Sequence, residues 1–219
     1  MKKYRLLSAA LILFVSTGTI KAQDAKAKSI LDKLSAKTQT YTSMKAEFEY
    51  VMKNEAEDLE ENQSGSILTK GEKYHLEIAG QKIISDGKTV WTVLDEAEEV
   101  QVNTVPEEDD SEDFISPTKI LTLWEKGFKY KYSNSSTLNG AAVDVINLYP
   151  EDADNKSFHT IKLYVNRAKL VVDQIEIKGK DGTDFIYKIT SFQTNESIDE
   201  NNFTFSTSQH PSYDVIDLR

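Results

Sequence analysis

From Ser43 onward, apolar and polar side chains alternate in short runs, the two-residue period of strands rather than the 3.6-residue period of helices. Runs at 44–52, 65–70, 73–78, 82–85, 88–94, 100–105, 128–133, 142–148, 158–165, 170–178 and 183–192 are each predicted as a strand. Turn chemistry lies between several of them. Asp86-Gly87, Asn139-Gly140 and Asp181-Gly182 each suit a two-residue hairpin turn, in which both central residues take φ > 0, and Asn166–Lys169 separates a further adjacent pair. Strands joined this tightly must run antiparallel, because a parallel pair needs a long crossover. The pattern predicts a mainly β chain with some α: a large, highly curved antiparallel sheet or incomplete barrel. Ahead of it, Ala27, Ile30, Leu31 and Leu34 recur at helical spacing, which predicts an amphipathic helix over residues 24–38.

One further helix is expected inside the sheet. In "SPTKILTLWEKG", Ser116 suits an N-cap, Pro117 the first helical position and Gly127 the stop, with Ile120, Leu121 and Trp124 on one face. The hairpin "IISDGKTVWTVL" bears apolar groups on both sides, Ile83, Val90 and Leu94 on one and Ile84, Trp91 and Val93 on the other. A sheet with one wet side would alternate cleanly. Either protein covers both faces, or one face borders an oily space. The Gly-Lys-Thr within this hairpin is no phosphate loop, since position 82 is Lys where a glycine is required and a strand follows instead of a helix.

Charge and composition narrow the chemistry. Lys2, Lys3 and Arg5, the apolar stretch 6–15 and the small Ala22 form a secretory signal pattern over 1–22, leaving a single domain over 23–219. Removing that segment with its four basic residues takes the formal charge from −10 to −14, a sign opposed to nucleic-acid binding. The chain has no cysteine, so it carries neither disulfide nor a cysteine-linked lipid. His75, His159 and His210 are too scattered for a metal motif, and no Gly-x-Ser-x-Gly elbow is present. The acidic run "PEEDDSED" at 106–113 lacks the spaced ligands and central glycine of a calcium loop. No enzyme activity, metal or cofactor is expected.

The segments "GSILTKGEKYHLEI" and "KIISDGKTVWTVLDEAEEVQV" resemble the core signature of the periplasmic outer-membrane lipoprotein carriers, the LolA-like family, with Ser85, Asp86, Gly87 and Trp91 matching its Ser-Asp-Gly-x-x-x-Trp hairpin. "MKAEFEYV", "SPTKILTLWEKGF" and the ending with Asp199, Phe203, Phe205 and Pro211 fall where that family places an early strand, an internal helix and its close. The resemblance implies an incomplete barrel with helices as a lid over a hydrophobic cavity. It implies a soluble, monomeric periplasmic carrier taking acylated lipoproteins from an inner-membrane transporter to an outer-membrane acceptor. A lipid- or glycolipid-binding or lipoprotein-sensing module of the same fold is the alternative. Trp91, Ile120, Leu121, Trp124, Tyr74 and Leu68 are the expected cavity lining. In well-studied carriers an Arg-Pro follows the strand matching 65–70, and its guanidinium holds the lid closed. Here Gly71-Glu72 stand there between Lys70 and Lys73. An ammonium lacks the planar fork that grips two carbonyls, so that latch is not expected.

Overall fold

The computed structural model describes residues 18–105, 122–208 and 210–219. Helix α1 (Gly18–Thr38) comes first. The strands are β1 (Met44–Asn54), β2 (Leu59–Lys70), β3 (Lys73–Ile78), β4 (Gln81–Ser85), β5 (Thr89–Leu94), β6 (Glu99–Thr104), β7 (Phe128–Leu138), β8 (Ala141–Pro150), β9 (Phe158–Asn166), β10 (Val172–Gly179), β11 (Thr183–Thr194) and β12 (Asp214–Asp217). They form one 12-stranded sheet in the order β12-β6-β5-β4-β3-β2-β1-β11-β10-β9-β8-β7. The curved, open sheet with its helix is the incomplete barrel that the alternation predicts. β1 is the seam, pairing β2 on one side and β11 on the other. The meander has two exceptions, the β1–β11 pairing, which joins strands far apart in sequence, and β12, which lies parallel to β6. The four residues of β12 carry no apolar run.

Most of the predicted strands extend further than their apolar runs. The backbone ladder continues through polar positions, as in β7, whose 134–137 are Asn, Ser, Ser and Thr, exposed and still paired with β8. Asn139-Gly140 is the expected two-residue turn, with φ of 49° and 79°. Asp86-Gly87 is not. Ser85 pairs with Val90 rather than Lys88, so residues 86–89 form a four-residue loop. The Asp86 carboxylate accepts from the backbone N–H of Lys88 and Thr89, both at 2.8 Å, and only Gly87 takes a positive φ. The register therefore moves by two residues. A shift of two preserves side-chain parity, so Ile83, Val90 and Leu94 still share one face and Ile84, Trp91 and Val93 the other.

On the inner face, direct cross-strand partners make a continuous row, Tyr132–Ile146–Leu163–Ile175–Tyr187–Tyr50, from β7 across to β1. Helix α1 lies on the β7 end of this face. It buries Ala27, Leu31 and Leu34 against Ile146, Leu163 and Ile175 in one apolar cluster. Each leucine side chain removed from water there contributes about 1.5–3 kcal/mol. Of the helix expected over 116–127, Ser116, Pro117, Ile120 and Leu121 lie outside the described residues. The described part is a 3₁₀ turn, Leu123–Glu125, in which Trp124 is buried and its indole N–H donates to Ser35 Oγ of α1 at 2.9 Å.

On the opposite, outer face near β4–β6, Ile84, Val93 and Val100 form a second cluster with Trp91. The C-terminal residues from Asp199 onward strap across it, bringing Phe205 and Tyr213 onto that cluster and fully burying Phe203.

Gly65 shows how closely the seam is packed. A Cβ there would sit 2.5 Å from the Phe48 ring and 2.9 Å from the Glu77 carbonyl. Phe48 is the cross-strand partner of Gly65 and needs that space. Gly65→Ala is expected to destabilise the fold by about 1–3 kcal/mol through overpacking. A lowered urea midpoint at unchanged slope would register it, and a wild-type midpoint would contradict the packing described.

Candidate functional site

Away from α1 the inner face stays apolar, and along β11 and at Tyr50 it is only half-buried. Phe185, Tyr187, Ile189 and Phe192 follow one another on β11, with Tyr50 and Phe48 beside them on β1. The rings form a connected set. Phe48 meets Tyr187 edge-on at 5.9 Å, Tyr187 meets Tyr50 at 5.2 Å, and Tyr50 stacks on Phe185 at 6.3 Å. Phe48 is buried, but a core would bury the others fully too, so the half-burial of Tyr50, Phe185, Tyr187 and Phe192 marks a wall rather than a filling.

This wall lines a cleft of about 550 Å³, bounded by Tyr50, Phe158, Ile177, Phe185 and Tyr187, with Lys180 and Asp181 at its rim. At the other end of β11 a second cleft of about 440 Å³ opens between Phe192, Ile189 and the C-terminal end of α1, with Lys37, Lys169 and Asp173 also in its lining, and there Tyr41 meets Phe192 edge-on. Between the two, Phe48, Ile67, Ile189 and Phe192 share one apolar cluster. The inner face thus offers apolar surface from one opening to the other. Burial raises the hydroxyl pKa of Tyr50 and pushes that of Tyr187 up to about 12, as a low-polarity wall requires. A larger cleft of about 590 Å³ is lined by Glu47, Glu49, Glu77, Asp95 and Lys82. Its carboxylates make it a poor place for hydrocarbon, so chemistry rather than size selects the inner wall.

The structure does not bring the sequence-selected residues together. Tyr74 is buried on the inner face, in a row with Thr69 and Ser85. Trp124 is buried beneath α1 at the far end. Leu68 and Trp91 belong to the outer row Leu68–His75–Ile84–Trp91–Val102, and Trp91 packs under the C-terminal strap. Ile120 and Leu121 lie outside the described residues. The alternations Phe185, Tyr187, Ile189 and Phe48, Tyr50 each give a strand one apolar face and mark nothing further. Only the pairing of β1 with β11, far apart in sequence, makes them a wall.

Lys70 and Lys73, which flank the Gly71-Glu72 that stands in place of the Arg-Pro latch, have a definite task. Both grip one carboxylate of the strap, Lys70 Nζ on Glu200 Oε1 and Lys73 Nζ on Glu200 Oε2, each at 2.6 Å. Two point charges on two oxygens suit ammonium groups as a carbonyl pair does not. The His75 Nδ1 lies 2.8 Å from the Asn202 carbonyl, and the Asp199 side chain caps the turn by accepting from the Asn201 N–H. At the far end of the strap, the Tyr213 hydroxyl donates to Asp95, which also pairs with Lys82.

The family model described as "Outer membrane lipoprotein carrier protein LolA" matches residues 39–206, well over half of the chain. No curated protein matches the sequence. Among solved structures, an uncharacterized conserved protein from Thermus thermophilus is 11% identical, with a TM-score of 0.54 over 88% of this chain and 99% of that one. A LolA superfamily protein from Nitrosomonas europaea is 13% identical with a TM-score of 0.42, covering 82% of this chain and 97% of its own. The Mycobacterium tuberculosis lipoprotein LppX is 10% identical with a TM-score of 0.46, covering 82% and 98%.

The strap's anchor titrates. Hydrogen bonds from Lys70 and then Lys73 hold the Glu200 carboxyl down at about 2, from an ordinary value of 4.5. A depressed carboxylate contributes stability that is complete above its unfolded-state pKa and is lost as pH falls through the folded-state value. The strap should therefore loosen between about pH 4.5 and 2. At neutral pH, Glu200→Gln is expected to make the amides of Asn202 and Phe203 exchange several-fold faster, while exchange in β8 and β9 is unchanged. Equal protection of 202–203 in variant and wild type would remove the anchor from the account.

Proposed function

The chain belongs to the LolA family of outer membrane lipoprotein carriers, and from that premise we propose that it is a periplasmic carrier of acyl chains. In this reading the inner aromatic wall receives the fatty tails of a lipoprotein for passage from inner to outer membrane. The observation that carries the reading is the half-buried row Phe185, Tyr187, Ile189 and Tyr50 between two openings. Apolar surface left half-covered in water is unfavourable at roughly 25 cal/mol per Å², and a hydrocarbon ligand removes that cost. The clefts fall within the roughly 300–1,000 Å³ typical of small-ligand sites.

Export completes the proposal. Residues 1–22 serve as the signal peptide, 23–219 as the mature domain, and a membrane transporter and an outer-membrane acceptor as donor and recipient of the cargo. Among the described residues no helix is long and apolar enough to cross a membrane. The lining proposed from sequence is revised accordingly. Tyr74 remains on the inner side, whereas Leu68 lies on the outer face and Trp91 supports the strap from it.

Displacement of a hydrophobic fluorescent dye by a triacylated peptide tests this. Wild-type protein is expected to release the dye. Phe185→Asp, which sets a charge on the wall, should weaken binding of the peptide at least tenfold. Trp91→Phe should leave it unchanged because Trp91 faces the other way. A wild-type protein that takes up neither dye nor peptide, or a Trp91→Phe defect as large as that of Phe185→Asp, would refute the assignment of the wall.

A further inference from the structure

We propose that Tyr50 and Tyr187 are a carbonyl-binding pair within the inner wall, donating hydrogen bonds to the ester or amide oxygens at which acyl chains join their head group. This rests on the acyl-binding reading above and adds to it a direction and a chemical preference.

A wall built only to hold hydrocarbon needs no hydroxyls. Its neighbours on the same face meet that need with Phe48, Phe185 and Phe192. Tyr50 and Tyr187 are direct cross-strand partners, and their rings stand 5.2 Å apart, so two donors are set side by side on one surface. Two tyrosines elsewhere spend their hydroxyls on carboxylates, Tyr132 on Asp144 and Tyr164 on Glu176, each at 2.9 Å, whereas the buried Tyr74 stands away from this pair on the same face. The hydroxyls of Tyr50 and Tyr187 make no hydrogen bond among the described residues. Neither is sealed in, because the fully buried side-chain oxygen without a partner among those residues is Asn147 Oδ1. Their oxygens are therefore reachable from the cleft that both residues line. The low-polarity surroundings keep both protonated at neutral pH, so they act as donors.

Position along the cleft gives the direction. Lys180 and Asp181 stand at the mouth, while Phe48 and Ile189 continue the apolar surface inward. A ligand that places its carbonyls on the tyrosine pair directs its head group past the charged rim and its tails toward Phe48. A hydroxyl that surrenders water to a ligand must be given an acceptor, or the exchange costs affinity. A carbonyl supplies one and a bare alkyl chain does not.

The test compares two monomeric glycerophospholipid probes of equal chain length, one ester-linked and one ether-linked. Wild-type protein should prefer the ester by about fivefold or more, the scale of one or two modest hydrogen bonds. The Tyr50→Phe/Tyr187→Phe double variant keeps both rings and should bind the ether probe as wild type does while losing the ester preference. Equal binding of both probes by wild type overturns the pair and leaves the acyl wall standing, and so does loss of both probes alike in the variant, which assigns the rings to packing. Failure of wild type to bind either probe overturns the wall and the pair together. Repeating the comparison with a diacylglyceryl-cysteine peptide and its ether analogue identifies the source. A larger ester preference with the peptide points to lipoprotein, a larger one with the phospholipid to membrane lipid, and either supports the pair.

Discussion

The structure depends on a mismatch between one wide sheet and the little that covers it. At roughly 4.8 Å per strand, twelve strands would lie about 50 Å across if flat. A helix with its side chains is about 10–12 Å wide, enough to cover two or three of them. Curvature reduces the deficit by turning the inner face on itself, and the chain distributes its remaining cover with care. Helix α1 takes the inner face at the β7 end. The C-terminal strap takes the outer face at the β4–β6 end. The inner face over β11 and Tyr50 of β1 is left half-buried, and there the side chains are mostly aromatic rather than polar. The proposed site is the part of the core that the helix and the strap leave half-covered.

The strap explains why the β4–β5 hairpin is apolar on both sides. Its outer residues Ile84, Trp91 and Val93 belong to the packing that fastens Phe205 and Tyr213. The fastening is partly ionic, through Lys70, Lys73 and Glu200 at one end and Lys82 and Asp95 at the other. Such exposed pairs are screened by salt and individually weak, so the buried Phe203 has to hold the middle. The turn that carries a lid latch in well-studied carriers carries a strap anchor here. The same hairpin position serves the opposite face of the sheet, and lysine suffices for the change because a carboxylate asks only for charge.

The sequence was most legible where physics is local. Alternation placed the strands β1 to β11, and Asn139-Gly140 fixed its turn, because period and φ preference are written in adjacent residues. Asp86-Gly87 misled by two positions: the Asp86 carboxylate captures two backbone N–H groups and widens the loop, a competition that the dipeptide alone does not display. Parity rescued the facing of every side chain despite the slip. The site was far less legible. Trp91 and Trp124 attracted attention as the largest apolar side chains, yet they lie in different clusters on opposite faces. The wall arises where β1 meets β11, a pairing separated by most of the chain, and no local signal marks it. β12 was invisible for a related reason, since its pairing to β6 rests on backbone groups and its Val215 remains exposed.

Half-cover is also the condition under which a carrier releases its load. Acyl burial is worth about 0.8 kcal/mol per CH₂, so three long chains wholly enclosed would nominally exceed 30 kcal/mol. Non-covalent association saturates near 18–21 kcal/mol, and a cargo held even that firmly would leave too slowly to be delivered. A membrane offers the same chains complete burial. In the proposed carrier, a wall that shields only one side of a chain would hold it more weakly than a bilayer does, so transfer to an acceptor membrane would run downhill. Hydroxyls on Tyr50 and Tyr187 fit this balance, because they add direction to the grip while contributing little to its strength. Replacing them with more hydrocarbon, or extending α1 across β11, would tighten the hold and move the molecule from carrying toward storage.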